Sequence, residues 1–411
     1  MSVENIQLFK HQALTWANGF EVCCYLDSNH YQDSYGAYDF VIAAGATKEL
    51  KCVVGKAFEE WKAFYETHKN WMFGFLSYDL KNELEDLKSN HPDRLLFPDL
   101  YFFIPQYLIV GKGNEVHILI GDAKVLEEIS RVAYVENMIG SPGKMEARID
   151  KSKYLEAVKA LQANILRGDI YEANFCQEFF SSHAVVNPLA IYRKLATLSP
   201  TPFSGYFKHY DQYILSASPE RFLRKKGTKL ISQPIKGTAK RSANPEEDAQ
   251  NKITLQHNSK EQAENVMIVD LVRNDLTKSA VKGSVVVEEL FGVYGFAQVY
   301  QMISTVSCEL NPEVHFIDAI KNAFPMGSMT GAPKLRAMQL IEQMEVQRRG
   351  VYSGAMGYVE PSGDFDFNVI IRSFLYNAST EYLSFQVAAQ LPMRLRLMRN
   401  MKNACLKLLP S

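Results

Sequence analysis

A chain of 411 residues with 47% hydrophobic and 22% charged content can bury a large core and is long enough for two or three domain-sized units, as expected of an ordinary globular protein. Its 45 Lys+Arg against 46 Asp+Glu leave a net charge of −1, so neither nucleic acid nor an anionic membrane is expected as the main partner. The six cysteines (Cys23, Cys24, Cys52, Cys176, Cys308, Cys405) show no C-x-x-C spacing and read as reduced thiols. With no signal pattern in MSVENIQLFKHQ and no long uninterrupted apolar run, a soluble cytoplasmic protein is expected.

Residues 1–145 mix short apolar runs with turns; Phe73 to Tyr78 and Tyr101 to Val110 read as strands. Ser141-Pro142-Gly143 marks a loop. Asp150 then caps a helix in which Tyr154, Val158, Leu161 and Ile165 share one face and Gly168 supplies the stop. A strand is predicted from Ile170 to Phe180, and a helix from the Asn187-Pro188 cap to Ser199-Pro200. Strands dominate from Gly205 to Pro234. A polar loop, Ser242 to Glu247, precedes a helix over 259–275. The last third predicts a helix at Phe316 to Phe324, a glycine-rich turn, a helix from Pro333, and strands at Gly354 to Val359 and Val369 to Tyr376. Helices and strands interleave without a strict βαβ rhythm, which predicts an α+β fold with large sheets.

Lys236 lies in Pro234-Ile235-Lys236-Gly237-Thr238, where proline stiffens the approach and glycine permits close contact. Such an amine is a nucleophile if buried and an ordinary turn lysine if solvated. Glu261 and Glu264 lie three apart on one helix face, which suits Mg²⁺ or else plain exposure to solvent. The segment from Phe324 to Lys334 is not a phosphate loop, because Pro333 removes a backbone donor where one is needed. It reads either as a structural turn or as two hydroxyls, Ser328 and Thr330, feeding a helix N-terminus that would receive a carboxylate. Arg372 falls in an apolar strand and needs a partner, either a ligand carboxylate or an internal one. Glu220 is either a general acid or the partner of Arg221.

Taken in order, PIKGT, SPERF, ENVMIVDLVRNDL, FPMGSMTGAPK, RRGVYSGAMGY and FNVIIRS resemble the chorismate-utilising enzymes, most closely the aminodeoxychorismate synthase component I subfamily, over about residues 70–387. The resemblance implies an α+β fold, the chorismate-binding enzyme fold, with large antiparallel sheets flanked by helices around a buried active site. It also implies a division into an N-terminal α+β region, 1–145, and a chorismate-binding catalytic domain, 146–411. The implied reaction converts chorismate to 4-amino-4-deoxychorismate, toward p-aminobenzoate and folate. Lys236 would attack C2 and Glu220 would help the C4 hydroxyl leave. Arg372, Tyr352, Ser328, Thr330, Gly237, Thr238 and Gly354 would bind the substrate, and Glu261 and Glu264 would hold Mg²⁺. Ammonia would come from a glutamine amidotransferase subunit, for which this chain has no room. Gln301 stands where many relatives carry histidine. Glu172 stands where glutamine is common and where water-adding relatives carry lysine, which counts against isochorismate synthesis. Anthranilate synthase and a catalytically inactive chorismate-binding protein are the rival readings.

Residues 388–411 depart from the pattern, with no Asp or Glu, five Lys+Arg and three Met. Relatives continue instead with a glycine strand and a Glu-rich helix that supplies further Mg²⁺ ligands. Either a one-base frame change or a divergent, partly amphipathic tail would account for the difference, and the frame change is the expectation. Codons for Gly-Ser-Ala-Ile-Thr-Tyr then read as Ala388 to Met393, and codons for Glu-Tyr-Glu-Glu-Cys-Met-Leu-Lys read as Asn400 to Lys407. Asn400 and Asn403 would replace lost glutamates, with weak Mg²⁺ binding and impaired activity as the expected result.

Overall fold

Short apolar runs separated by turns assemble into one 19-stranded sheet, with a two-stranded ribbon beside it. The structure, a computed structural model, describes residues 2–133 and 138–391. The expected α+β architecture with a large antiparallel sheet is what forms. Strand 22–27 pairs antiparallel with 203–209, 72–76 with 355–359, 172–181 with 382–391, and 235–240 with 299–309. Strands from residues 1–145 therefore share ladders with strands of the catalytic region. Among the described residues no helix is long and apolar enough to cross a membrane. Cys23, Cys24, Cys52, Cys176 and Cys308 are buried free thiols.

Helix termini follow the local chemistry. The Asp150 side chain accepts the Lys153 N–H at 2.9 Å, and Gly168 ends the helix Lys151–Arg167 in the left-handed conformation. Asn187 caps Pro188–Leu198 in the same way. Three expectations need correction or completion. The polar loop 242–247 contains the start of a helix, Pro245–Gln256, because Asn244 caps it and Pro245 takes the first turn where no N–H is needed. Helices Ile6–Ala17 and Ala57–His68 lie in the α+β region 1–145, where the apolar pattern locates strands but no particular helix. The strand expected over 369–376 is two strands, Phe365–Val369 and Ser373–Asn377, separated at Arg372, whose φ of 51° is incompatible with a continuous ladder.

The suspected break after Val387 does not interrupt the sheet. Ala388 to Leu391 continue the strand in register with Cys176 to Ala173, since ladder hydrogen bonds use the backbone whatever the side chain. Residues 392–411, the rest of that tail, lie outside the described residues.

Trp61 joins the two ends of the chain in one core. It stacks on Phe102 with centroids 4.2 Å apart and meets Phe367 edge-on at 6.1 Å. Trp61→Ala should lower unfolding free energy by about 4 kcal/mol in urea titrations, the usual cost of emptying a buried aromatic site.

Candidate active site

Lys236 lies on the strand Ile235–Lys240 and is only 6% exposed. Its Nζ stands 3.5 Å from Oε1 of Glu172, which opens the strand Glu172–Ser181 and is itself 1% exposed. Burial of both members favours the buried-amine alternative over a solvated turn lysine.

Glu220 sits between two strands, Gln212–Ser218 and Arg221–Lys226, where the Ser-Pro turn takes it out of both ladders. Arg221 does not neutralise it. That guanidinium donates to Asp366 at 2.8 and 2.9 Å, to Gln233 at 2.6 Å and to Asp33. Burial pushes the Glu220 carboxyl up to about 7, while the Ser328 hydroxyl, the Lys236 ammonium, the Ile235 N–H and the Arg372 guanidinium act in the other direction. One buried centre therefore contains Glu220, Lys236, Glu172, Ser328 and the positive field of Arg372. Arg372 itself is half-buried in a turn rather than within a strand, so the premise of a guanidinium in a continuous apolar ladder does not hold.

Glu261 and Glu264 lie on the helix Ser259–Thr277, capped by Asn258, and Glu261 faces the same centre. Gly237, at φ 95°, is the point of closest approach: a Cβ there would lie 3.3 Å from Glu261 Oε2 and 3.2 Å from Met302 Cβ. Burial and then the neighbouring Glu264 charge hold the Glu261 carboxyl above its ordinary value, with Lys260 and Lys236 opposing. Glu264 also pairs with Lys260 at 3.3 Å. Two carboxylates crowding each other fit a hard divalent cation that keeps water or substrate oxygens for its remaining ligands. Among the described residues no group of three or more metal-ligating side chains occurs.

The remaining candidates divide. Ser328 is 8% exposed in the tight turn Gly327–Met329. Thr330 is fully buried, and its hydroxyl donates to the carbonyls of Gly327 (3.3 Å) and Met326 (3.4 Å). The turn does not feed a helix directly, because Gly331–Ala332 first pair with Ala173 and Glu172. Tyr352 is buried in the loop after Arg349. Gly354 is needed for packing, since a Cβ would fall 2.0 Å from the Leu76 carbonyl oxygen. Thr238 is exposed on its strand and lies in register with Gln301, which is buried and whose Oε1 accepts no hydrogen bond from the described residues. Reading by motif missed Arg349 and Glu345, although their i, i+4 spacing was visible. A separate cavity of about 380 Å³ opens beside Asp27, Tyr38, Arg221 and Tyr358, and none of its lining residues is a candidate named above.

Residues 21–390 match the chorismate binding enzyme family, and the chain belongs to it. It is 33% identical over 344 residues to aminodeoxychorismate synthase component 1 of Bacillus subtilis, covering 77% of this chain and 73% of that relative. It is 35% identical over 316 residues to anthranilate synthase component 1 of Thermus thermophilus, covering 74% and 68%. The crystal structure of anthranilate synthase component I from Streptococcus pneumoniae superposes with a TM-score of 0.79 at 27% identity, covering 91% of this chain and 92% of that one.

The Glu220 environment has a thermodynamic signature. A carboxyl whose proton affinity is raised by folding adds stability that is fully present below its ordinary value of 4.5 and is lost as pH rises through about 7. Glu220→Gln cannot ionise. Its unfolding free energy relative to wild type should therefore improve by about 3 kcal/mol between pH 4 and pH 8, and a constant difference across that range would contradict the assigned environment.

Proposed function

We propose that this chain aminates chorismate to 4-amino-4-deoxychorismate, as component I of an aminodeoxychorismate synthase on the route to p-aminobenzoate and folate. The observation that carries this reading is a buried amine, Lys236, in the same centre as a carboxyl, Glu220, that retains its proton close to neutrality. The first supplies a nucleophile and the second a proton donor. In the proposed sequence the Lys236 ammonium first passes its proton to the facing Glu172 carboxylate; the resulting free amine bonds to C2, the ring double bond shifts, and the C4–O bond breaks as Glu220 gives its proton to the departing hydroxyl. Ammonia then bonds to C4, the shift reverses, the C2–N bond breaks, and the surplus proton returns to Glu220. Arg372 and Ser328 would hold substrate carboxylates. Mg²⁺ on Glu261 and Glu264 would neutralise a substrate carboxylate. The component 1 names of the relatives favour a separate partner, and a glutaminase subunit would supply the ammonia.

The rival, anthranilate formation, adds elimination of pyruvate and has no use for a lysine nucleophile. Incubation with chorismate, Mg²⁺ and ammonium, followed by chromatography, separates the readings. Aminodeoxychorismate is expected; anthranilate would overturn the assignment, and binding without turnover would point to an inactive chorismate-binding protein. Lys236→Ala should lower amination by at least about 1,000-fold, in the range seen for loss of a covalent nucleophile.

The tail bears on the metal. If residues 388–411 are frame-shifted, restoring the displaced Glu-Tyr-Glu-Glu reading should tighten Mg²⁺ binding by at least about tenfold in calorimetry, since affinity follows the number of charged ligands. Equal affinity in the two chains, or an intact frame in the sequenced gene, would remove the frame-change reading.

A further inference from the structure

Arg349 is 2% exposed, and none of the roles above uses it. All five of its N–H donors are engaged. It grips Glu345 with two prongs, Nε to Oε2 at 2.9 Å and Nη2 to Oε1 at 2.7 Å. Nη1 donates to the Met329 carbonyl at 2.7 Å and, more loosely, to the Ser353 hydroxyl at 3.4 Å. Nη2 also donates to the Asn174 carbonyl at 2.7 Å. The guanidinium lies over the Tyr78 ring, 4.4 Å from its centroid.

The acceptors are informative by position. Met329 lies between Ser328 and Thr330. Asn174 lies two residues beyond Glu172 on its strand, and it also reaches the same turn: its side-chain amide donates to the Ser328 carbonyl and its backbone N–H to the Thr330 carbonyl at 2.8 Å. Glu345, held by Arg349, accepts the Cys176 N–H at 2.8 Å. One guanidinium thus closes a loop of bonds through three segments. These are the strand that begins at Glu172, the turn that carries Ser328, and the loop that carries Tyr352.

Stability alone is a poor explanation for this arrangement. A buried ion pair often contributes less than well-packed apolar side chains of the same volume, because both charges have been taken out of water. A rigid planar fork does fix direction, and lysine, with one compact ammonium, cannot reproduce it.

We propose that Arg349 is a positioning residue for amination: its fork sets the Ser328 turn against the strand that carries Glu172, and so fixes together how Ser328 faces Glu220 and how Glu172 faces Lys236. This rests on the aminodeoxychorismate reading above. Arg349 touches neither Glu220 nor Lys236 directly; it acts through Met329, Ser328 and Asn174.

The test uses the full chain with chorismate, Mg²⁺ and ammonium. Arg349→Lys should keep its far-ultraviolet circular dichroism and a chorismate KM within about threefold, yet lose about 100-fold in kcat, as expected when reacting groups are misplaced by about an ångström. The falling limb of kcat against pH should move, because the Ser328 hydroxyl that faces Glu220 moves with the turn. Guanidinium ion should restore part of the activity of Arg349→Ala. A kcat within about threefold of wild type, or a loss that follows only the unfolded fraction while KM and the pH limb stay put, overturns the proposal. If both variants fail to fold, Glu345→Gln keeps the Met329 and Asn174 bonds but loosens the fork; a displaced pH limb supports the proposal and an unmoved one overturns it. Absence of aminodeoxychorismate from wild type would instead defeat the functional reading, so the two failures are distinguishable.

Discussion

The structure depends on removing charge from water around Lys236. An isolated buried ammonium or carboxylate is very costly, and the ionisable groups here are buried facing one another. Lys236 has Glu172 at 3.5 Å, Glu220 faces Lys236 and Arg372, and Glu261 lies against Gly237 in the shadow of the same amine. No member of this set can be altered without changing the proton or ion balance of the rest. The centre is best regarded as one electrostatic unit.

The sheet makes such a unit possible. The residues come from separate segments of the chain, Glu172 on one strand, Lys236 on another and Glu261 on a helix, and the strands are held by ladders that register to a single residue. The joins between ladders are where function concentrates. Glu220 sits in the two-residue gap between strands, Arg372 at the break between two others, and Ser328 in a tight turn ahead of the Gly331–Ala332 pairing. Side chains at such breaks escape the strict in-and-out alternation of a strand and can be aimed into a common space.

This explains what could and could not be read from the sequence. The helix from Asp150 to Gly168 was legible because both its ends are local chemistry. Lys236, Glu220 and Glu261 were legible as candidates because each lies in a short, distinctive string. The split at Arg372 was not legible, since Val369 to Ile371 is a β-branched apolar run that reads as a strand, and only the observed backbone turn reveals the break. The direction of the Thr330 hydroxyl was not legible for a related reason. A hydroxyl in a turn can face a ligand or its own backbone, and nothing nearby in the sequence distinguishes the two. The partners of Arg221, Asp33 and Asp366, lie 188 and 145 positions away, beyond the reach of local pattern.

That last network has a consequence for anyone moving this chemistry to another scaffold. Glu220 and Arg221 are adjacent in the chain, and in a bare peptide opposite charges so placed would attract each other. Here the guanidinium is fully occupied by Asp33, Asp366 and Gln233, which leaves the carboxyl to its buried site and its proton. Transplanting the Ser218 to Phe222 string by itself would leave Arg221 without those acceptors and free to fold onto its neighbour, leaving an ordinary ionised carboxylate. The transferable unit is therefore a five-residue string together with two distant aspartates.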